Sequence, residues 1–369
     1  MNIIAGHSLE KNIDAAVRDL KTQFEACDCK MVIFFASSIY NPHKLGKAMQ
    51  EGFPDARVFG CSTAGEIVSG KMLKNSIVAM ALNAEVIEDI KIEVLEEISD
   101  ACDVAATLAS FEQYYSQTMM EMDFDKYLGI ILIDGLRGAE EKVMDKIGDL
   151  SNIRFAGGSA GDDFRHERTF VFANGKACSD AAVVALLKLP KGFDIIKTQS
   201  FRPLNKHLTV SKSDTENREV IEFNNKPAAL AYAEALGTSP EEAEKRFMRN
   251  PIGLMVDGEP YVRSPRRILA DARMKFYCNM VEGMELTLLE STDIVADTKK
   301  AVADKEKTFG RISGILNFHC ILRTLELEDK AQTTAYGRIF SDIPTAGFST
   351  YGEIYVGYMN QTSTMILFH

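Results

Sequence analysis

The sequence predicts an α/β fold in which mixed β-sheets are flanked by helices, divided between two domains at residues 1–197 and 198–369. The first observation behind this prediction is a repeated stretch. FGCSTAGEI at 59–67 returns as AGFSTYGEI at 346–354, and a shorter relative, AGGSAGD, stands at 156–162. We call these stretches the first, third and second glycine turns. Three copies in one chain indicate an internal duplication.

The second observation is that the surroundings of the glycine turns repeat as well. An apolar, β-rich run precedes each turn, at 31–35, 128–133 and 314–318. Another such run follows each turn, at 77–82, 181–187 and 364–368. Each repeat therefore reads as strand, helix or loop, glycine turn and strand, which is an α/β pattern.

The elements between these runs follow from periodicity and from helix-terminating residues. Residues 10–24 carry apolar positions at helical spacing, residues 42–53 form a helix that ends near Gly52 and Pro54, and residues 140–150 form the helix of the second repeat. Residues 86–98 are expected to form a strand and residues 100–115 a helix. The turn at Asn174-Gly175 predicts a hairpin that residues 181–187 complete.

The character of the sequence changes after the break at 189–192 (LPKG). Residues 209–223 alternate apolar and polar positions, which favours antiparallel strands. A helix is expected from Pro227 to Gly237, and the next helix begins at a Ser239 cap. The predicted domain boundary therefore lies near residue 197.

Composition limits the classes of function. The chain has 369 residues, with 42 Lys and Arg against 53 Asp and Glu and a net charge of -11. This balance argues against duplex nucleic acid as a partner, because neutralising phosphates requires a basic face. No apolar run is long enough to span a membrane, there is no basic leader, and the seven cysteines form no CxxC pair. We therefore expect a cytoplasmic protein without membrane insertion.

The glycine turns have the chemistry of a ligand-binding loop. Glycines allow positive φ and close approach, so successive backbone N–H groups can converge on an anion. Hydroxyl, thiol and carboxyl groups stand beside them, which gives the candidate ligand-binding residues Gly60, Cys61, Ser62, Thr63, Glu66, Ser159, Ser349, Thr350, Tyr351 and Glu353. The alternative is that the glycines permit tight strand packing and that Glu66 and Glu353 accept hydrogen bonds from nearby backbone amides. If the turns bind a ligand, duplication favours one cleft shared by the first and third turns.

The arginine-rich segment 258–267 (GEPYVRSPRR) could supply a counter-charge for an anion. Arginine binds carboxylate and phosphate through two parallel hydrogen bonds, so Arg263 and Arg266 are candidate ligand-binding residues. Arg323 is a further candidate for the same reason. The alternative is a surface loop whose arginines pair with the many acids of this chain.

Two histidines and two cysteines carry the remaining hypotheses. Haem requires one axial histidine, and His207 and His319 lie within patterned sequence, although a lone histidine is more often structural. A thiol enzyme would use Cys61 or Cys320. His319 and Cys320 are adjacent on a predicted strand, so their side chains should point to opposite faces. The first turn is not the G-x-S-x-G nucleophile elbow of the α/β-hydrolases, because it is one residue longer and leads back into a strand.

Several motifs, in the same order, resemble the FIST domain, which is named for F-box and intracellular signal transduction proteins. They are GCSTAGEI, GGSAGDD followed by TFVFANG, PIGLMVDGEPYVRSPRRI, NFHCILR and GFSTYGEI, and together they cover nearly the whole chain. The resemblance implies an intracellular bacterial sensor of small molecules, with amino acids proposed as ligands. The family that this chain resembles includes a subset of haem proteins that sense nitric oxide and act on a histidine kinase, so the resemblance also implies this function as an alternative.

The sequence thus leads to a ranked set of functions. The first is a cytoplasmic sensor without enzymatic activity that binds an amino acid or a similar small anion and signals through a separate protein, because no kinase, cyclase or receiver segment follows the second half. The second is a haem-based nitric oxide sensor that regulates a histidine kinase. The third is a thiol-dependent enzyme.

Overall fold

The computed structural model describes residues 1–355 and 357–369. The helices of these residues are α1 (Ile13–Phe24), α2 (Pro42–Gly52), α3 (Val104–Tyr115), α4 (Glu140–Leu150), α5 (Ala228–Leu236), α6 (Pro240–Glu244), α7 (Ile294–Phe309), α8 (Ile321–Asp329) and α9 (Thr333–Arg338). The strands in the first half of the chain are β1 (Ile3–Ser8), β2 (Cys29–Ser37), β3 (Arg57–Thr63), β4 (Glu66–Val68), β5 (Lys71–Leu73), β6 (Ile77–Asn83), β7 (Asp89–Glu96), β8 (Tyr127–Ile133), β9 (Arg154–Ser159), β10 (Val171–Ala173), β11 (Lys176–Cys178) and β12 (Ala181–Lys188). The later strands are β13 (Phe193–Gln199), β14 (Phe201–Asp214), β15 (Glu219–Phe223), β16 (Lys226–Pro227), β17 (Ile252–Val256), β18 (Glu259–Arg263), β19 (Pro265–Ile268), β20 (Met274–Phe276), β21 (Glu285–Ser291), β22 (Gly314–Cys320), β23 (Thr345–Thr350), β24 (Glu353–Tyr355), β25 (Gly357–Met359) and β26 (Thr362–Phe368).

Three six-stranded sheets share one strand order. Sheet I runs β1-β6-β2-β3-β10-β11, sheet II runs β7-β12-β8-β9-β24-β25, and sheet III runs β13-β26-β22-β23-β4-β5. Each contains one parallel pair, β2–β3, β8–β9 or β22–β23, while its other recorded pairings are antiparallel. The fold is therefore α/β with mixed sheets and flanking helices, as the sequence predicts. The duplication itself stays a prediction.

The hairpin that follows each glycine turn completes a different sheet. β4, which begins within the first turn, pairs with β23 of sheet III, and β10, which follows the second turn, pairs with β3 of sheet I. β24, which begins within the third turn, pairs with β9 of sheet II. This cyclic exchange links all three sheets by backbone hydrogen bonds, so none of them is complete without a strand from another repeat.

The inner faces of the three sheets share one apolar core. Strand residues from every sheet, among them Phe35, Leu132 and Phe318, belong to a single buried cluster. The rings of Phe35 and Phe348 stack with centroids 4.7 Å apart. A separate cluster lies between the outer face of sheet I and helices α1 and α2. The caps of these helices are Asn12 and Asn41, whose side chains accept from backbone N–H groups three residues later, each at 3.0 Å.

The chain divides into two compact units. The first unit contains residues 1–198, 298–358 (356 aside) and 363–369, and the second contains residues 199–297 and 359–362. The second unit begins close to residue 197, but residues 298–358 join the first unit because β22–β24 belong to sheets II and III. The second unit is built on an eight-stranded sheet of β14–β21, with α5 packed against β15.

The predicted hairpin around Asn174-Gly175 is wrong in its second strand. β10 pairs with β11 within sheet I, whereas residues 181–187 belong to β12 of sheet II. A two-residue turn signal identifies the start of the returning strand, but here that strand ends after three residues and the chain crosses to another sheet.

One glycine in each turn occupies the same place in its parallel strand pair. A Cβ added to Gly60, Gly157 or Gly347 would lie 2.0, 1.8 or 2.1 Å from the carbonyl oxygen of a residue on the adjacent parallel strand. Real Cβ atoms do not approach backbone oxygens so closely, so these positions require glycine. This supports the packing interpretation of the turn glycines.

We predict that Gly157→Ala destabilises the protein by about 3 kcal/mol or more, because the methyl group collides with backbone that cannot move independently. Gly148→Ala is the matched control: Gly148 lies in α4, is exposed and has no atom within 4 Å of its added Cβ. That variant should gain about 0.5–1 kcal/mol from helix propensity. Urea unfolding of both variants measures the difference, and equal stabilities would contradict the packing account.

Candidate functional site

The three glycine turns are joined in a ring of backbone hydrogen bonds. The N–H of Ser349 donates to the carbonyl of Gly65 at 2.7 Å, and the N–H of Gly161 donates to the carbonyl of Ser62 at 2.9 Å. The N–H of Tyr351 donates to the carbonyl of Ser159 at 3.1 Å. The turns therefore lie side by side within the first compact unit, and these N–H groups are not available to an anion.

The centre of the junction between the turns is packed, and the threonines and acids of the first and third turns bond within it. Thr63, Glu66, Thr350 and Glu353 are all buried. Thr63 Oγ1 donates to Glu66, and Thr350 Oγ1 donates to Glu353 at 2.5 Å, so each acid accepts a bond from its own turn. The turns lie together, and the side chains of these four candidate residues bond within their own turns.

Cys61 and Gly60 belong to the same packed region. Both lie in β3 of sheet I, and the side chain of Cys61 is buried in the apolar core shared by the three sheets. Burial raises the pKa of its thiol well above the usual value. Neither residue presents a group to an external ligand.

Glu66 is a buried acid whose ionisation is tied to the fold. Its carboxylate also accepts from Ser76, through the hydroxyl at 2.6 Å and the backbone N–H at 3.2 Å. Burial raises its pKa to about 7, against the opposing effect of the hydrogen bonds from Ser76 and Thr63, and the charge of Asp163 raises it further. Glu66 therefore changes protonation near neutral pH.

The serines of the three turns have different partners. Ser62 Oγ donates to the carbonyl of Gly161 at 2.8 Å, and Ser159 Oγ donates to Glu140 at 3.0 Å. Ser349 Oγ is 2.8 Å from Thr324 Oγ1 on α8. Ser62 and Ser349 each also line a cavity beside the ring.

The Ser62 cavity has a volume of ≈ 170 Å³, enough for about six waters or one small metabolite. Aromatic and apolar side chains, charged groups of both signs and hydroxyls surround it, and its lining residues are Ser37, Ser38, Tyr40, Pro42, Leu45, Ser62, Asp162, Arg165, Glu167, Arg168, Phe170 and Phe172. This mixture suits a ligand that carries both charges.

The loop after the second turn forms one side of the Ser62 cavity and is held by Asp162. The Asp162 carboxylate accepts the backbone N–H groups of His166, Glu167 and Arg168 at 3.0, 2.7 and 3.1 Å. The hydroxyl of Tyr351 donates to it at 2.5 Å. Burial acts to raise the pKa of Asp162, but these hydrogen bonds outweigh burial and the net shift is downward.

The same loop contains three non-glycine residues in the left-handed region. Asp163, Phe164 and His166 have φ of 55°, 62° and 53°. Such a concentration is typical of ligand-binding and switch segments, where surrounding contacts impose the conformation. Tyr351 helps to impose it, because its hydroxyl accepts the N–H of Phe164 at 2.8 Å. Tyr351, predicted as a ligand residue, is therefore an anchor of this loop.

Sequence reasoning missed most of the Ser62 cavity. Among the predicted residues only Ser62 lines it, while Tyr40, Asp162, Arg165 and Arg168 were overlooked. Asp163 on the same loop accepts hydrogen bonds from Ser37 and Ser38 at 3.1 and 2.7 Å. The available signal was the dense charged run DDFRHER at 162–168, which immediately follows a glycine turn.

Of the three predicted arginines, Arg323 lies in the first compact unit, and Arg263 and Arg266 lie in the second. Arg323 is buried in the first compact unit, where its guanidinium donates to Thr298 Oγ1 at 3.0 Å. Arg263 and Arg266 belong to the second compact unit. There the Nε of Arg263 is buried without a hydrogen-bond partner among the described residues, and Arg266 lies over the Tyr277 ring at 5.7 Å. The cleft that the first and third glycine turns were expected to share with the arginine-rich segment 258–267 stays a prediction.

Neither candidate histidine fits a haem. His207 is exposed, its Nδ1 is 3.2 Å from Thr287 Oγ1, and its surroundings include Lys206, Lys226 and Glu234. A haem macrocycle requires an apolar, water-excluding pocket, which these side chains do not provide. Within the described residues no group of three His, Cys, Asp or Glu side chains could hold a metal ion.

His319 is excluded for the opposite reason. Its Nδ1 is 2.9 Å from the Tyr336 hydroxyl, and its Nε2 is buried without a hydrogen-bond partner among residues 1–355 and 357–369. The ring is 0% exposed, so even a water cannot reach Nε2, and an iron could not coordinate it without displacing its neighbours. Burial, and then the charge of Arg323, lowers its pKa well below the usual value, so this histidine is neutral.

Comparison with known proteins identifies the family. The FIST N domain matches residues 30–226 and the FIST C domain matches residues 228–356. The chain belongs to the FIST family. FIST domains are associated with the sensing of small ligands in signalling. No helix of the described residues is long and apolar enough to cross a membrane.

A relative of this FIST protein occurs in Methanocaldococcus jannaschii. It is an uncharacterized protein that is 24% identical over 297 residues. The match covers 75% of the present chain and 57% of the archaeal protein, so the chain spans little more than half the length of this relative.

We predict that Glu66 makes stability fall as pH rises from 4.5 to about 7. Its pKa of about 7 in the folded protein lies above its ordinary value near 4.5, so the folded state binds more protons between these values. The free energy of unfolding should therefore fall by up to about 3 kcal/mol from pH 4.5 to 7 through this group alone. Glu66→Gln should remove that part of the slope.

Urea unfolding across this pH range measures the effect. Glu51→Gln, which changes an exposed acid of α2, is the control and should keep the wild-type slope. A Glu66→Gln slope identical to the wild-type slope would show that Glu66 does not titrate in this window.

Proposed function

We propose that this FIST protein is a sensor that binds a free amino acid, or a similar small zwitterion, in the Ser62 cavity and signals through a separate protein. The supporting observation is the cavity itself, whose lining includes the charged Arg165, Arg168 and Glu167 and the apolar Leu45 and Phe172. An arginine fork suits the ligand carboxylate, and Glu167 suits its ammonium. The apolar floor suits a side chain.

The strained loop at 163–166 offers a route from ligand to surface. Arg165 lies within this loop, so a ligand that binds its guanidinium contacts the segment directly. Phe164 of the same loop is 39% exposed, and its ring centroid lies 6.0 Å from that of Tyr351. A change in the loop therefore alters an exposed aromatic surface, which a partner such as a histidine kinase could read.

Haem-based sensing of nitric oxide is the alternative that the family resemblance raises. The surroundings of His207 and His319 give it no support. The Ser62 cavity, by contrast, is of the right size and charge for the first function without rearrangement of the core.

We expect Arg165→Gln to weaken amino acid binding by about 10- to 100-fold, because one charge-assisted contact is worth about 1.5–3 kcal/mol. Each of the twenty amino acids is first screened singly by thermal shift, and calorimetry of the best one gives Kd. Arg311→Gln is the control, since Arg311 is also exposed but lies outside the cavity.

Two outcomes would contradict this placement. If no amino acid stabilises the wild-type protein, the ligand class is wrong. If Arg263→Gln abolishes binding and both Arg165→Gln and Arg168→Gln leave Kd unchanged, the ligand binds at the arginine segment of the second compact unit.

We also propose that the protein acts by binding and not as a thiol enzyme. The thiols of Cys61 and Cys320 are buried, so neither should form an accessible nucleophile. Iodoacetamide should label both only on unfolding, and more slowly than the half-buried Cys178. Native labelling of Cys61 or Cys320 at the rate of free cysteine, measured by peptide mass spectrometry, would reinstate the enzyme hypothesis.

A further inference from the structure

A second cavity occupies the position in sheet III that the Ser62 cavity occupies in sheet I. It has a volume of ≈ 180 Å³ and is lined by Gly65, Met72, Leu73, Lys74, Thr324, Glu328, Thr333 and Ser349. We call it the Ser349 cavity. The two cavities have matching walls. The Ser62 cavity lies between Ser62, helix α2 and the segment after the second turn, and the Ser349 cavity lies between Ser349, helix α8 and the segment after the first turn. The cyclic exchange of hairpins thus builds two related cavities.

One hydroxyl proton of the buried Ser349 and Thr324 pair has no acceptor among the described residues. Ser349 and Thr324 are 1% and 3% exposed, and their hydroxyl oxygens are 2.8 Å apart. One hydroxyl donates to the other, which leaves one O–H donor that makes no hydrogen bond to any described residue. Buried donors are rarely left unsatisfied, so the second proton points to an acceptor that occupies the cavity.

A glycine keeps the space beside this hydroxyl pair open. Gly65 has φ of 129°, and a Cβ at this position would lie 3.3 Å from Ser349 Oγ. Any side chain here would be strained and would enter the cavity. Gly65 therefore has two roles. Its carbonyl belongs to the hydrogen-bonded ring, and its lack of a side chain leaves space beside Ser349.

An exchangeable ion pair stands at the mouth of the cavity. Lys74 Nζ is 2.6 Å from Glu328 Oε1, and the two side chains are 59% and 33% exposed. Such a pair contributes little to stability, so a ligand with both charges can replace it at small cost. The cavity thus offers an ammonium and a hydroxyl to a carboxylate, and a carboxylate to an ammonium.

We propose that the Ser349 cavity is a second binding site for a small zwitterion, so that one chain binds two amino acid molecules. The ligand carboxylate contacts Lys74 and the Ser349–Thr324 hydroxyl pair, and its ammonium contacts Glu328. The ligand class rests on the proposed function, whereas the site rests on the cavity and its unsatisfied hydroxyl. The ring bond from Ser349 N–H to the Gly65 carbonyl connects this site to the first turn, which also carries Ser62.

The test is the binding stoichiometry of the full chain, measured by equilibrium dialysis with the twenty amino acids applied singly. The wild-type protein should bind two equivalents of at least one amino acid. Lys74→Met should weaken one equivalent by at least about 10-fold, as expected for loss of a charge-assisted contact. Lys71→Met, which changes an exposed lysine of β5 that lies three residues before Lys74 and outside the cavity, should retain both.

A second variant tests the hydroxyl pair without changing charge. Thr324→Val preserves the shape of the side chain and should weaken the same equivalent as Lys74→Met, with urea unfolding used to confirm a native fold. The proposal is overturned if the wild-type protein binds one equivalent that Arg165→Gln removes and Lys74→Met preserves. One equivalent that only Lys74→Met removes would support the Ser349 site and refute the Ser62 site, and absence of all binding would refute both.

Discussion

The hydrogen-bonded ring of the three glycine turns is the constraint on which the rest of this fold depends. Its three bonds join residues that are far apart in the chain, and the bond from the Ser349 N–H to the Gly65 carbonyl spans 284 positions (349 − 65). Because the hairpin after each turn completes another sheet, the ring fixes how the three sheets share their core. No single stretch of the chain contains all the strands of one sheet, because β10, β24 and β4 complete sheets I, II and III from other parts of the chain.

This arrangement also decides where ligand chemistry can lie. Backbone N–H groups at the ring are bonded to carbonyls, and the acids Glu66 and Glu353 are bonded to hydroxyls of their own turns. A buried polar group that is already satisfied gains nothing from a ligand. The groups that remain able to bind a ligand therefore lie beside the ring, in the cavities that Ser62 and Ser349 line next to the helices.

The three sheets are alike in strand order but differ in chemistry. In the parallel pairs, Phe34 is the partner of Gly60 in sheet I, while Asn317 is the partner of Gly347 in sheet III. The buried Asn317 amide donates to Tyr336 Oη at 3.2 Å, and Tyr336 in turn lies 2.9 Å from His319 Nδ1. Along β22, Leu316 and Phe318 belong to the shared apolar core, whereas the alternate residues Asn317 and His319 belong to a buried polar network.

The α/β class, most strands and helices, the similarity of the three glycine turns and the family can all be predicted from the amino-acid sequence. These features depend on local periodicity, on glycine and proline positions, and on repeated motifs, all of which are written along the chain. The tertiary structure decided that β10 and β12 belong to different sheets, that residues 298–358 join the first compact unit, and that Arg165 and Ser62 line one cavity. These outcomes depend on pairing between distant strands, and the energy of such pairing comes from burial and backbone hydrogen bonds that no short stretch of sequence contains.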